Sequence, residues 1–203
     1  MLASKNALKE KTILNHGYAG HDLSFWLQWI EAELQKDNKE VVFPTYENSK
    51  LPKMEEWVSL IKKEVSDQSY TYTFVAHSMG SLVTLKLIES MNVTIEKVVL
   101  VACPKNYVAT NDGGSLWKRV EGEERRILKT FFDQDLDFKA IQEKIPELHF
   151  FFSKDDFVIP YEAHDYYQSK FPRAHFKTFN SYGHFNRKNN IYTLPEALEI
   201  IKE

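Results

Sequence analysis

Three short stretches of this chain carry side chains with complementary chemistry. Residues 76–80 read Ala-His-Ser-Met-Gly, residues 153–160 read Ser-Lys-Asp-Asp-Phe-Val-Ile-Pro, and residues 181–185 read Ser-Tyr-Gly-His-Phe. A serine hydroxyl attacks a carbonyl only when a base takes its proton, and a histidine base needs a carboxylate to orient its ring. Ser78, one of the Asp155-Asp156 pair, and His184 supply these groups in the order serine, acid, histidine. Each part alone has a plainer reading: a helix cap for Ser78, a solvated turn for the aspartates, a surface-loop histidine for His184. Their order, with each at the end of an expected strand, favours nucleophilic catalysis.

Ala76-His77-Ser78-Met79-Gly80 is the nucleophile-elbow pattern G-x-S-x-G with alanine in the first glycine's place. The turn is so tight that residues two before and two after the serine must be small, and alanine adds one methyl group. His77, inside the elbow, is expected to pack or hydrogen-bond there rather than act as the base. A second small-residue loop, Asn15-His16-Gly17-Tyr18-Ala19-Gly20, follows the first expected strand. Its backbone amide at Tyr18, with that of Met79 after the serine, would form an oxyanion hole. The alternative there is a plain glycine turn.

These groups need a scaffold that gathers strand ends. Apolar runs at 11–15, 40–45, 70–76, 97–102, 148–153 and 175–180 read as strands, most of them continuous enough to be covered on both faces. Helical spacing links Phe25, Trp26, Trp29, Ile30 and Leu34, with Ser24 as the expected N-cap, and likewise Met54, Trp57, Val58, Ile61 and Val65. Further helices are expected over 82–91, over 138–145 with Asp137 as N-cap, and over 194–201. Strands alternating with helices predict a three-layer α/β fold with a parallel sheet, whose carboxyl edge collects the reactive loops. The alternation breaks over 104–146. A small cap is expected at about 110–135 in what reads as a single domain spanning 1–203. Trp117, Phe131 and Phe132 from the cap, with His16, His77 and Phe157, are the expected pocket residues.

Bulk properties narrow the classes. The chain has 203 residues, is 43% hydrophobic, and carries a net charge of −3. No basic tract suggests nucleic acid, and no apolar run is long enough to span a membrane. Its single cysteine, Cys103, permits no intrachain disulfide, and the expected location is the cytoplasm. The histidines lack metal-ligand spacing and no phosphate-binding glycine loop is present, so neither a metal nor a cofactor is expected.

On these motifs the chain resembles the α/β-hydrolase superfamily, in particular the small serine hydrolases similar to retinoblastoma-binding protein 9. That resemblance implies a six-stranded parallel sheet in the order 2-1-3-4-5-6, without the two leading antiparallel strands of larger members. It also selects Asp156 as the acid, because Asp156-Phe157-Val158-Ile159-Pro160 matches the superfamily's D-x-x-[VI]-P spacing. The expectation is a serine hydrolase, a carboxylesterase for small acyl esters using Ser78, Asp156 and His184. A binding protein on the same fold and an amidase or peptidase are the alternatives, and the oligomeric state is left open.

Overall fold

In the computed structural model, the described residues are 8–18, 20, 24–105 and 121–203. Six strands, β1 (Lys9–Asn15), β2 (Glu40–Val42), β3 (Tyr70–His77), β4 (Thr94–Val101), β5 (Glu147–Ser153) and β6 (His175–Phe179), form one sheet in the order β2-β1-β3-β4-β5-β6. Every adjacent pair is parallel. The sheet order is the one the resemblance implied. The helices are α1 (Phe25–Lys36), α2 (Met54–Glu64), α3 (Met79–Ser90), α4 (Gly122–Phe132), α5 (Phe138–Lys144), α6 (Glu162–Lys170) and α7 (Pro195–Lys202).

The helices cover the sheet from both sides, which makes three layers. On one face α1 and α7 bury Trp26, Ile30 and Ala197 against Val75, Val99 and Phe151. On the other, α2, α3, α5 and α6 bury Trp57, Leu82, Ile141 and Tyr167 against Phe74, Leu100 and Phe150. Adjacent strand residues thus face opposite cores, which explains the continuous apolar runs. Among the described residues no helix is long and apolar enough to cross a membrane.

Several boundaries differ from the sequence expectation. Strand β2 stops at Val42, because Pro44 lacks the N–H that a ladder requires. Strand β4 begins earlier, at Thr94, and a register shift pairs Tyr72 with Ile95 but Thr73 with Lys97, leaving Glu96 as the extra residue. Helix α6 was not legible, since it buries only Ala163 and Tyr167 and has no aliphatic stripe. Asp137 does cap α5, accepting from the Ala140 amide at 2.9 Å. Ser24 precedes α1 but makes no side-chain cap bond. A missing cap costs about 1 kcal/mol, whereas burying Trp26, Leu27, Ile30 and Leu34 contributes roughly 1.5–3 kcal/mol each. Packing decides that helix.

The cap reading over 110–135 falls partly outside the described residues. Its described portion is α4, which is amphipathic. Leu128, Phe131 and Phe132 are buried, and Phe131 meets Trp57 of α2 edge-on at 5.5 Å. A groove of about 660 Å³ between α2 and α4 is walled by Lys53, Glu56, Glu123, Arg126 and Phe131 among others.

Candidate active site

The sheet's carboxyl edge brings three distant loops together. β3 delivers Ser78 on a backbone turn with φ 53° and ψ −126°, a left-handed conformation costing a non-glycine residue roughly 1–3 kcal/mol. That turn is held by hydrogen bonds from Ser78 N–H to Val101 O at 2.8 Å and from Ser81 N–H to Ser78 O at 2.9 Å. The serine hydroxyl makes no cap bond to α3. The helix-cap reading therefore fails.

Two glycines permit the crowding around this turn. A Cβ on Gly80 would lie 2.5 Å from His16 O and 2.6 Å from Asn15 O, so only glycine lets α3 start against the end of β1. A Cβ on Gly17 would lie 2.8 Å from the Ser78 Cβ. The β1 loop therefore runs directly beside the serine. Met79 opens α3, where an amide has no helical acceptor four residues back.

His184 arrives after β6. Its Nε2 lies 3.1 Å from Ser78 Oγ and its Nδ1 lies 2.8 Å from Asp156 Oδ2. The side chains of His184 and Asp156 are only 9% and 3% exposed. The other carboxylate oxygen, Asp156 Oδ1, accepts from the Val158 and Ile159 amides at 2.8 and 2.9 Å. Since an ionised carboxylate can only accept, the His184 Nδ1 must carry the proton. Its Nε2 lone pair then faces the serine hydroxyl. Such an arrangement can draw a proton from Ser78 while the imidazolium is stabilised by the buried carboxylate.

Asp155 takes a different role. It is exposed, and its Oδ1 accepts from Ser153 Oγ at 2.5 Å and from the Gly183 amide at 2.8 Å. Burial pushes its pKa up, but these donors outweigh that and leave it lowered. Ser153 Oγ in turn accepts from the Tyr182 amide at 2.9 Å. This bridge ties the end of β5 to the loop carrying His184. Asp155 thus serves the loop carrying His184 through the Gly183 amide and makes no hydrogen bond to the His184 ring, whose Nδ1 is taken by Asp156.

The expected pocket residues are placed unevenly. His16 is fully buried, its Nδ1 donating to Gly17 O at 2.8 Å while its Nε2 accepts from the Tyr46 amide at 3.3 Å. His77 is 3% exposed with both ring nitrogens engaged by protein, and Phe131 and Phe132 belong to the core under α4. His16, His77 and Phe132 therefore act in packing and bracing rather than as open pocket walls, a correction to the expectation, whereas Phe131, though buried, also borders the groove between α2 and α4. Phe157 is exposed beside Asp156, and Trp117 lies outside the described residues. The Tyr18 hydroxyl donates to Glu124, joining the β1 loop to α4. Burial, together with this carboxylate, pushes the Tyr18 phenol up to about 12.

Several bracing residues escaped the sequence reading. Asn15 donates to Thr84 Oγ1 at 2.7 Å and accepts from the Tyr46 hydroxyl at 2.9 Å, locking the β1 loop to α3. Asn189 accepts from the His184 amide at 3.0 Å, and Trp26 Nε1 donates to Phe185 O at 2.8 Å. Asparagine and tryptophan carry no positional signature for such long-range contacts.

Residues 12–203 match the profile of the serine hydrolase family. YdeN of Bacillus subtilis (strain 168) is 20% identical over 199 residues, covering 96% of this chain and 95% of its own. The crystal structure of the ydeN gene product superposes with a TM-score of 0.77, covering 96% of this chain and 97% of that one. A carboxylesterase structure from the thaumarchaeon Nitrososphaera gargenis gives a TM-score of 0.68 at 10% identity, covering 97% and 90%. The esterase EaEST from Exiguobacterium antarcticum gives 0.67 at 11% identity, covering 97% and 92%. At these identities the structures establish a shared α/β-hydrolase fold.

Proposed function

Because the chain belongs to the serine hydrolase family, we infer that it is a carboxylesterase cleaving small acyl esters, with Ser78 as nucleophile, His184 as base and Asp156 as orienting acid. The observation that carries this reading is the unbroken hydrogen-bond chain from Ser78 Oγ through His184 to Asp156 Oδ2, at 3.1 and 2.8 Å. His184 Nε2 takes the hydroxyl proton as Ser78 Oγ bonds to the ester carbonyl carbon. The resulting oxyanion is held by the Met79 and Tyr18 amides. Collapse breaks the bond to the alcohol, which leaves with the proton from His184. Water then repeats the sequence on the acyl-enzyme and frees the acid. No step calls for a metal or cofactor.

Short acyl groups fit this reading best. The described part of the cap is one helix of 11 residues, whose aromatic side chains are committed to the core. An extended acyl channel would need long apolar walls, whereas the groove beside α4 is bordered by Lys53, Glu56, Glu123 and Arg126 as well as Phe131. Catalytic efficiency on p-nitrophenyl esters is expected to fall from acetyl or butyryl to palmitoyl. A steady rise with chain length would overturn the small-ester assignment. Parallel assay of matched anilides tests the bond type, and equal turnover of anilide and ester would make the protein an amidase as much as an esterase.

A further inference from the structure

The His77 ring is sandwiched between two polar partners inside the protein. Its Nε2 lies 2.9 Å from the backbone carbonyl oxygen of His184, and its Nδ1 lies 2.8 Å from Ser24 Oγ. A carbonyl oxygen can only accept, so Nε2 must bear the proton. In a neutral ring Nδ1 is then the acceptor, and the Ser24 hydroxyl donates to it. Burial, and then the neighbouring His184 ring, hold the His77 pKa well below its ordinary value, so the ring stays neutral. This explains why Ser24 makes no cap bond to α1: its hydroxyl is committed to His77.

His77 immediately precedes Ser78. The dipeptide therefore grips His184 at both ends, through the imidazole at Ser78 Oγ and through the main chain at His77 Nε2. On the opposite side of the main chain, the His184 amide donates to Asn189. We propose that His77 is a positioning residue, fixed as the Nε2–H tautomer by the His184 carbonyl and held in place at Nδ1 by Ser24, which sets the distance between His184 and Ser78. Without the Ser24 donor, the buried Nδ1 lone pair loses its partner and the ring is no longer held at that end. It can then tilt away from the His184 carbonyl and loosen the base.

The proposal rests on His184 serving as base to Ser78, and the experiment separates the two ideas. Steady-state kinetics on p-nitrophenyl acetate are compared for wild type, Ser78→Ala, His77→Phe, His77→Gln, Ser24→Ala, Ser24→Thr and the Ser24→Ala/His77→Phe double variant. Misplacing a catalytic group by about 1 Å costs on the order of 100-fold. His77→Phe is therefore expected to lower kcat roughly 10- to 100-fold with KM within about twofold. His77→Gln, whose amide N–H can reach the same carbonyl, should recover most of that loss. Ser24→Ala is expected to lower kcat about three- to tenfold, the scale of one hydrogen bond. Ser24→Thr should restore it, and Ser24→Ala should add nothing in the His77→Phe background.

Wild-type kcat in folded His77→Phe, or fully additive losses in the double variant, would overturn the proposal while an inactive Ser78→Ala left the nucleophile standing. An active Ser78→Ala would remove both. Should His77→Phe fail to fold, Ser24→Ala decides, and a wild-type kcat in that variant overturns the proposal. Long-range ¹H–¹⁵N spectra give a separate check, in which an Nδ1–H tautomer for His77 would also defeat it.

Discussion

Ser78→Ala is expected to abolish fluorophosphonate labelling and to lower ester turnover by at least about 10⁴-fold, since removing the nucleophile of a serine–histidine pair costs up to about 10⁶ in kcat. The fold should survive. The Ser78 hydroxyl makes no cap bond, and the turn is held by main-chain bonds to Val101 and Ser81 that alanine retains. Both serine and alanine meet the same left-handed backbone penalty, so the melting temperature should move by no more than a few degrees. Intact-mass detection of the labelled protein, with a thermal melt on each variant, measures both effects. Retained turnover in Ser78→Ala would end the hydrolytic reading of this site.

The second large effect is expected at Asp156. In Asp156→Asn the side chain keeps one oxygen, and the Val158 and Ile159 amides both require an acceptor at the Oδ1 position. The amide NH₂ is thereby directed to the place of Oδ2, facing His184 Nδ1. There it donates, forcing the imidazole proton onto Nε2 and leaving no lone pair for Ser78. A wrong tautomer of this kind costs about 10⁴ in turnover. Asp155→Asn should behave otherwise. Its two donors, Ser153 Oγ and the Gly183 amide, meet on one oxygen that asparagine can supply, so a loss under roughly tenfold is expected. Kinetics of both variants on one activated ester make the comparison, and the reverse ranking would transfer the acid's role to Asp155.

How much of this was legible in the sequence depended on how local each signal is. Continuous apolar runs located all six strands, and the elbow's small residues marked the turn at Ser78, because both patterns express contacts within a few residues. Chain order then suggested which serine, acid and histidine to group. What the sequence concealed was set by partners far away in the chain. Ser24 looked like a cap, because the serine that caps a helix and the serine that orients a histidine 53 residues on are the same letters. His16 and His77 suggested a pocket, and the tertiary packing took them inward. Helix α6 gave no pattern because its few buried contacts are spread over an otherwise polar surface.

The all-parallel sheet has a consequence for how the chain acquires its reactivity. Every strand pairing must await a crossover, so little of the sheet can form from neighbouring segments, and contacts of this range slow folding. The candidate site is extreme in this respect, with Ser78 and His184 separated by 106 residues and joined only once β3, β4, β5 and β6 lie side by side. Helix formation has no such requirement, so helical signal is expected to return early on refolding. With Ser78 as the proposed nucleophile, its labelling by an organophosphorus probe is expected to report the final stage of assembly, the docking of the carboxyl-terminal third. A nascent or refolding chain can hold most of its secondary structure and still be chemically silent.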